Sequence, residues 1–175
     1  MTGRRLMTTT VMILLLAGCA HGRVVDGTFI SDDWHFSVVL PKPPFEQIPP
    51  GGTVVAVSDP ETGASAVISA HPDARTGEEG KEVQLRFLAR ELFVSIEKKE
   101  YSISREATID GVPAWHVEIK GVSDGVPLVF SAYVTRFSGA IYDIVFWSRP
   151  EDFERASGVF LEMVNGFRFQ RGAAE

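Results

Sequence analysis

One cysteine, four histidines and a few adjacent acids are the residues of this chain whose types could carry chemistry. Cys19 is the only thiol and stands directly after Leu16-Ala17-Gly18. With no second cysteine it cannot close an internal disulfide, and in an oxidising compartment a free thiol is a liability unless it is modified. His21, His35, His71 and His116 fall in separate segments with no H-E-x-x-H or other close ligand cluster, so a transition-metal site is not expected. His71-Pro72-Asp73 comes nearest and reads as a loop turn, whereas His116 is expected on the wet face of a strand. Asp32-Asp33 could be imagined as paired carboxylates, but neighbours on an extended chain point apart and a catalytic pair must converge on one atom. No serine sits in a G-x-S-x-G elbow. Gly51-Gly52 lies in a proline loop instead of between a strand and a helix, so it is no phosphate cradle. Catalytic residues, metal ligands and cofactors are all expected to be absent, and the chain reads as a non-enzyme.

Arg4 and Arg5, the run Val11-Met12-Ile13-Leu14-Leu15-Leu16 and the small residues after it have the order of a charged, an apolar and a cleavable region in an export signal. The segment resembles the signal of bacterial lipoproteins, with Leu16 to Cys19 as the lipobox. That resemblance implies cleavage after Gly18, a diacylglyceryl group on the Cys19 sulfur and a further fatty acid, such as palmitate, on its amine. A core helix, a transmembrane anchor and an ordinary cleaved signal with a leftover thiol are the other readings. The uninterrupted apolar run from 11 to 17 is far shorter than the roughly 20 residues that span a bilayer. A twin-arginine signal is matched poorly by Leu6-Met7 and the threonines that follow. Two or more acyl chains, at about 0.8 kcal/mol per buried methylene, make a stable anchor. Ala20, not being aspartate, resembles the outer-membrane address of such proteins.

Loss of the leader removes two arginines and leaves 15 basic against 23 acidic residues, a net charge of −8. Such a domain repels phosphate backbones, so nucleic acid is not an expected partner. Anionic headgroups repel it too, and the lipid on Cys19 must hold it to the membrane. The expected organisation is a signal peptide over 1–18, a lipidated tether over 19–27 and a single domain over 28–171, long enough to bury a core without disulfides.

Strands are expected over 28–31 and 35–40, followed by a loop broken by Pro41, Pro43, Pro44, Pro49 and Pro50. The β-branched runs 53–59 and 64–71 flank Pro60-Glu61-Thr62-Gly63, which has hairpin chemistry. Leu85, Leu88, Leu92 and Ile96 predict a helix over 78–99, widened by Phe87 and Phe93. Four strands follow over 102–109, 112–122, 126–137 and 140–147, joined by Asp110-Gly111, Asp124-Gly125 and Ser138-Gly139 turns. Ser148 and Glu151 are spaced as a capping box for a helix over 150–164, ended by Asn165-Gly166. Phe167-Arg168-Phe169 is expected to return to a sheet edge.

This order predicts an α+β fold, an antiparallel β-sheet meander flanked by two main helices. The opening strand Phe36-Ser37-Val38-Val39-Leu40-Pro41, the Asp110-Gly111-Val112-Pro113-Ala114 turn and the closing Asn165-Gly166-Phe167-Arg168-Phe169 together resemble the PsbP-like fold and its DcrB-like lipoprotein group. The resemblance implies an α/β/α sandwich and a non-catalytic binding or assembly role, with another envelope protein as partner. Trp34, Phe45 and Trp147, near the ends of predicted strands, are the candidate partner contacts, each with ordinary packing as its alternative. Carriage of a small apolar ligand or lipid in a sheet–helix cleft is the second functional reading. An enzyme of unfamiliar design is the third, and it requires convergent polar residues in a pocket.

Overall fold

The computed structural model describes residues 22–73 and 84–171. The elements run β1 (Gly22–Val25), β2 (Thr28–Ser31), β3 (Phe36–Val39), β4 (Glu46–Gln47), β5 (Val55–Ser58), β6 (Ser65–Pro72), α1 (Leu85–Glu91), β7 (Glu97–Ile109), β8 (Val112–Ser123), β9 (Val126–Phe137), β10 (Ala140–Ser148), α2 (Pro150–Asn165) and β11 (Arg168–Phe169). The predicted α+β class is the observed one. A seven-stranded antiparallel sheet, in the order β4-β5-β6-β10-β9-β8-β7, carries α1 on one face. The other face is covered by α2 together with a four-stranded sheet, β1-β2-β3-β11.

The meander follows from its turns. Asp110-Gly111, Asp124-Gly125 and Ser138-Gly139 each place both residues at positive φ, between 49° and 79°. This is the two-residue hairpin geometry whose twist matches the strands it joins. Pro60 to Gly63 turns β5 into β6, where the Asp59 carboxylate accepts from the Glu61 amide at 2.9 Å and the Thr62 hydroxyl at 2.7 Å. β11 returns to β3, pairing Phe169 with Phe36, as its apolar-basic-apolar pattern predicts.

The lipobox and Cys19 lie outside the described residues, but the tether expected over 19–27 is corrected from Gly22 onward. Asp26-Gly27 is a fourth positive-φ turn, at 48° and 74°, and pairs Val25 with Thr28 and Gly22 with Ser31. The same Asp-Gly chemistry that joins the meander strands therefore makes β1, even though β1 has little periodicity to announce it.

A second correction concerns α1. Among the described residues the helix ends at Glu91, and Glu97 already belongs to β7. The chain leaves the helix through tight turns, with Lys99 Nζ donating to the carbonyls of Phe93 at 2.9 Å and Val94 at 3.2 Å. Residues 97–101 are taken by the far half of β8, pairing Glu97 with Val122 and Tyr101 with Ile119 across bulges. A long neighbour with open backbone groups outcompetes a helix end held by side-chain spacing alone. Gly121 makes the crossing possible, because a Cβ there would meet Ile96 Cγ2 at 2.3 Å.

The capping box is also absent. Pro150 takes the first helical position, so Arg149 becomes the cap residue with no side-chain bond, and Ser148 Oγ donates to the Arg149 carbonyl at 3.1 Å. Gly166 ends α2 not through positive φ, its φ being −85°, but through space, with Val39 Cβ 3.0 Å from where its own would stand. On α2, Ala156, Phe160, Met163 and Val164 are buried against the large sheet and β3.

Candidate interaction surface

Among the described residues, the short helix α1 covers only part of its face of the large sheet. α1 packs on β8 and β9, where Leu88, Ala89 and Phe93 meet Val117, Ile119, Phe130, Ala132 and Val134. Alternation along β10 points Ile141, Asp143, Val145 and Trp147 to this same side. Two cavities lie along that row with Leu92 as their common wall. One, of about 370 Å³, is apolar and lined by Phe93, Ile96, Leu128, Phe130, Val145 and Trp147. The other, of about 400 Å³, is lined by Leu88 and Ile141 but also by His71, Asp73, Glu91 and Asp143. Together they form a groove that is greasy at the Trp147 end and acidic at the Asp143 end. A larger cavity of about 730 Å³ lies at the start of α1, between Leu85, Trp115 and Arg136.

Asp143 sets the electrostatics of the acidic end. It is buried in the middle of the sheet, and burial pushes its carboxyl up to about 6, opposed by His71, whose Nδ1 lies 3.8 Å from Oδ2. Next to it Asp73 is held by Arg136, with Nε 2.5 Å from Oδ2. A carboxyl poised near neutrality beside a half-exposed histidine can exchange a proton or accept a basic group from a ligand. No group of three or more potential metal ligands occurs among the described residues.

The three candidate contact residues do not converge. Trp34 packs against the core on the α2 side, its carbonyl accepting from the Tyr142 hydroxyl at 2.7 Å. Phe45 is buried in that same core, which ties down the proline loop. Trp147 alone lines the groove, on the opposite face of the sheet. Asp32 pairs with Arg23 across the β1–β2 hairpin instead of with Asp33.

His116, expected on a wet face, is buried, which corrects the alternation inferred for β8. Its ring stacks on Tyr133 with centroids 4.2 Å apart, and Tyr133 lies against Phe160 of α2, so both faces of β8 are covered here. Burial lowers His116 to about 4, helped by Arg105. Its Nε2 is 3.0 Å from Ser131 Oγ, while Nδ1 has no hydrogen-bond partner. A serine–histidine contact of this kind has nucleophile–base spacing. With both residues buried and no acid among the described residues bonded to Nδ1, the pair is a core hydrogen bond whose imidazole burial keeps neutral. Asp143 was not singled out from the sequence, although one acid inside the apolar run Ile141-Tyr142-Asp143-Ile144-Val145 is a signal that could have found it.

No protein-family model matches the sequence, and no curated protein matches it. Solved structures do. The solution structure of cyanobacterial PsbP (CyanoP) from Synechocystis sp. PCC 6803 is similar at TM-score 0.56 and 14% identity, covering 87% of this chain and 95% of that one. The Saccharomyces cerevisiae Ran-binding protein Mog1p is similar at TM-score 0.54 and 12% identity, covering 78% and 90%. LpqN, described as involved in cell envelope biogenesis of Mycobacterium tuberculosis, is similar at TM-score 0.55 and 11% identity, covering 80% and 87%. The chain therefore has a PsbP/Mog1-like fold.

Proposed function

We propose that this chain is a lipid-anchored, non-catalytic binding or assembly factor of the bacterial cell envelope. In this reading Cys19 carries the lipid, the domain faces the periplasm from the outer membrane, and the groove between α1 and β10 receives a segment of a protein partner. The groove carries the reading. Its two cavities, which meet at Leu92, suit an apolar side chain beside Trp147 and a basic one near Asp143, and anchors of that kind dominate protein recognition. The fold is shared with a Ran-binding protein and with a protein of mycobacterial envelope biogenesis, which is consistent with a binding role without assigning one. Membrane confinement would raise the effective concentration of the domain near its partner.

The test is photo-crosslinking in intact cells, with the reactive side chain at Trp147 or Ile96 in the groove and at exposed Leu161 on α2 as reference. One recurring envelope protein captured from the groove positions and not from position 161 supports the proposal. Recovery of lipid alone from the groove would favour the second reading, a carrier of a small apolar ligand, for which the 370 Å³ apolar end is the supporting observation. Equal capture from all three positions removes the groove from the mechanism. Intact-mass analysis of natively produced protein tests the anchor independently.

A further inference from the structure

The start of β1 at Gly22 places the fold three residues after Cys19. Three Cα steps reach at most about 11 Å. Once the acyl chains of Cys19 are in a bilayer, the Gly22 end of β1 is therefore held close to the headgroups, and Val25, three strand residues further on, lies within about 10 Å of that end.

The surface presented there is specific. Across the outer face of the small sheet, Val25 lies beside Thr28 and Thr28 beside Val39, and in the next row Arg23, Ile30, Ser37 and Arg168 stand in register. Of the residues alternating with these, Phe29, Phe36, Val38 and Phe169 are buried in the core, while Val24 on the edge strand β1 is 48% exposed. Val25 and Val39 are 47% and 50% exposed, among the large apolar side chains left most open by the fold. The flanking cations are matched by acids, Arg23 with Asp32, and Arg168 and Arg171 with Asp110, so the face offers apolar area without a strong field of either sign. In a domain of net negative charge such a face meets the least repulsion from a lipid surface.

We infer that the outer face of the small sheet, centred on Val25 and Val39, is a membrane-resting surface that orients the domain on the bilayer. The inference rests on the acylation of Cys19 proposed above. With this face down, α1 and its groove, on the opposite side of the large sheet, are turned away from the lipid toward a soluble or neighbouring partner.

The experiment uses natively lipidated protein in phosphatidylethanolamine/phosphatidylglycerol vesicles, with an environment-sensitive fluorophore on single cysteines introduced as Val25→Cys, Val39→Cys or Val126→Cys. Val126 is the far reference. It begins β9, whose other end, Phe137, stacks on Phe169 of the small sheet at 4.4 Å, and eleven strand residues separate the two by about 36 Å. Probes at 25 and 39 are expected to be quenched by aqueous iodide at least about threefold more slowly than the probe at 126, as for groups at the headgroup boundary. Equal quenching at all three positions, with the Cys19 acyl mass present, overturns the orientation while leaving the anchor intact. Absence of that mass fails the anchor itself. Protection of 25 and 39 that persists in a lipid-free Cys19→Ala protein in solution would mean that a second copy covers this face, and also overturns the inference.

Discussion

Among the described residues, Asp143 and His116 are buried groups that make stability depend on pH between about 4 and 7, and they act in opposite directions. Asp143 titrates near 6 in the fold against 3.8 in the free side chain, so its contribution is fully present below pH 3.8 and is lost as pH rises through 6. Asp143→Asn should therefore raise the unfolding free energy at pH 7 by about 2 kcal/mol, with the gain vanishing below pH 4. His116 is lowered to about 4 from 6.5, so its contribution is complete above pH 6.5 and disappears as pH falls toward 4, by up to about 3 kcal/mol. His116→Gln should flatten that acid limb. Urea titrations between pH 3.5 and 7.5 separate the two, because between pH 4 and 6 the native protein shows only their difference and each variant exposes the other slope.

At the scale of elements, the exchange of a helix end for a strand start shapes the interaction surface. Gly121 is the joint, and Gly121→Ala should cost about 2 kcal/mol, since its Cβ would stand 2.3 Å from Ile96 Cγ2. The double variant with Ile96→Ala should recover most of that loss, and a double-mutant cycle by chemical denaturation reads the coupling. β1 permits a similar test. Removing residues 22–25 should leave the core folded but speed amide exchange in β2 about tenfold, because an antiparallel neighbour is lost. A mere tether at these positions would leave β2 exchange unchanged. Both elements were hard to read because their residues satisfy two patterns. Leu85, Leu88, Leu92 and Ile96 keep helical spacing even where the chain bends away, and Arg23-Val24-Val25 is too short and too exposed to register as a strand.

For the whole molecule, the sequence by itself determined the α+β class, the four-strand meander, the closing helix and the return of Phe167-Arg168-Phe169 to a sheet edge. These depend on local chemistry: Asp-Gly turns at positive φ, period-two alternation and a 3.6-residue apolar stripe act over a few neighbouring residues. Tertiary structure alone decided that β10 would pair with β6 as well as β9, that Phe45 and Trp34 would be spent on one core while Trp147 faced another, and that His116 and Asp143 would be buried. Each of these outcomes is set by what covers the other face of a strand. That covering comes from α2, α1 or a second sheet tens of residues away, through packing that no local spacing encodes.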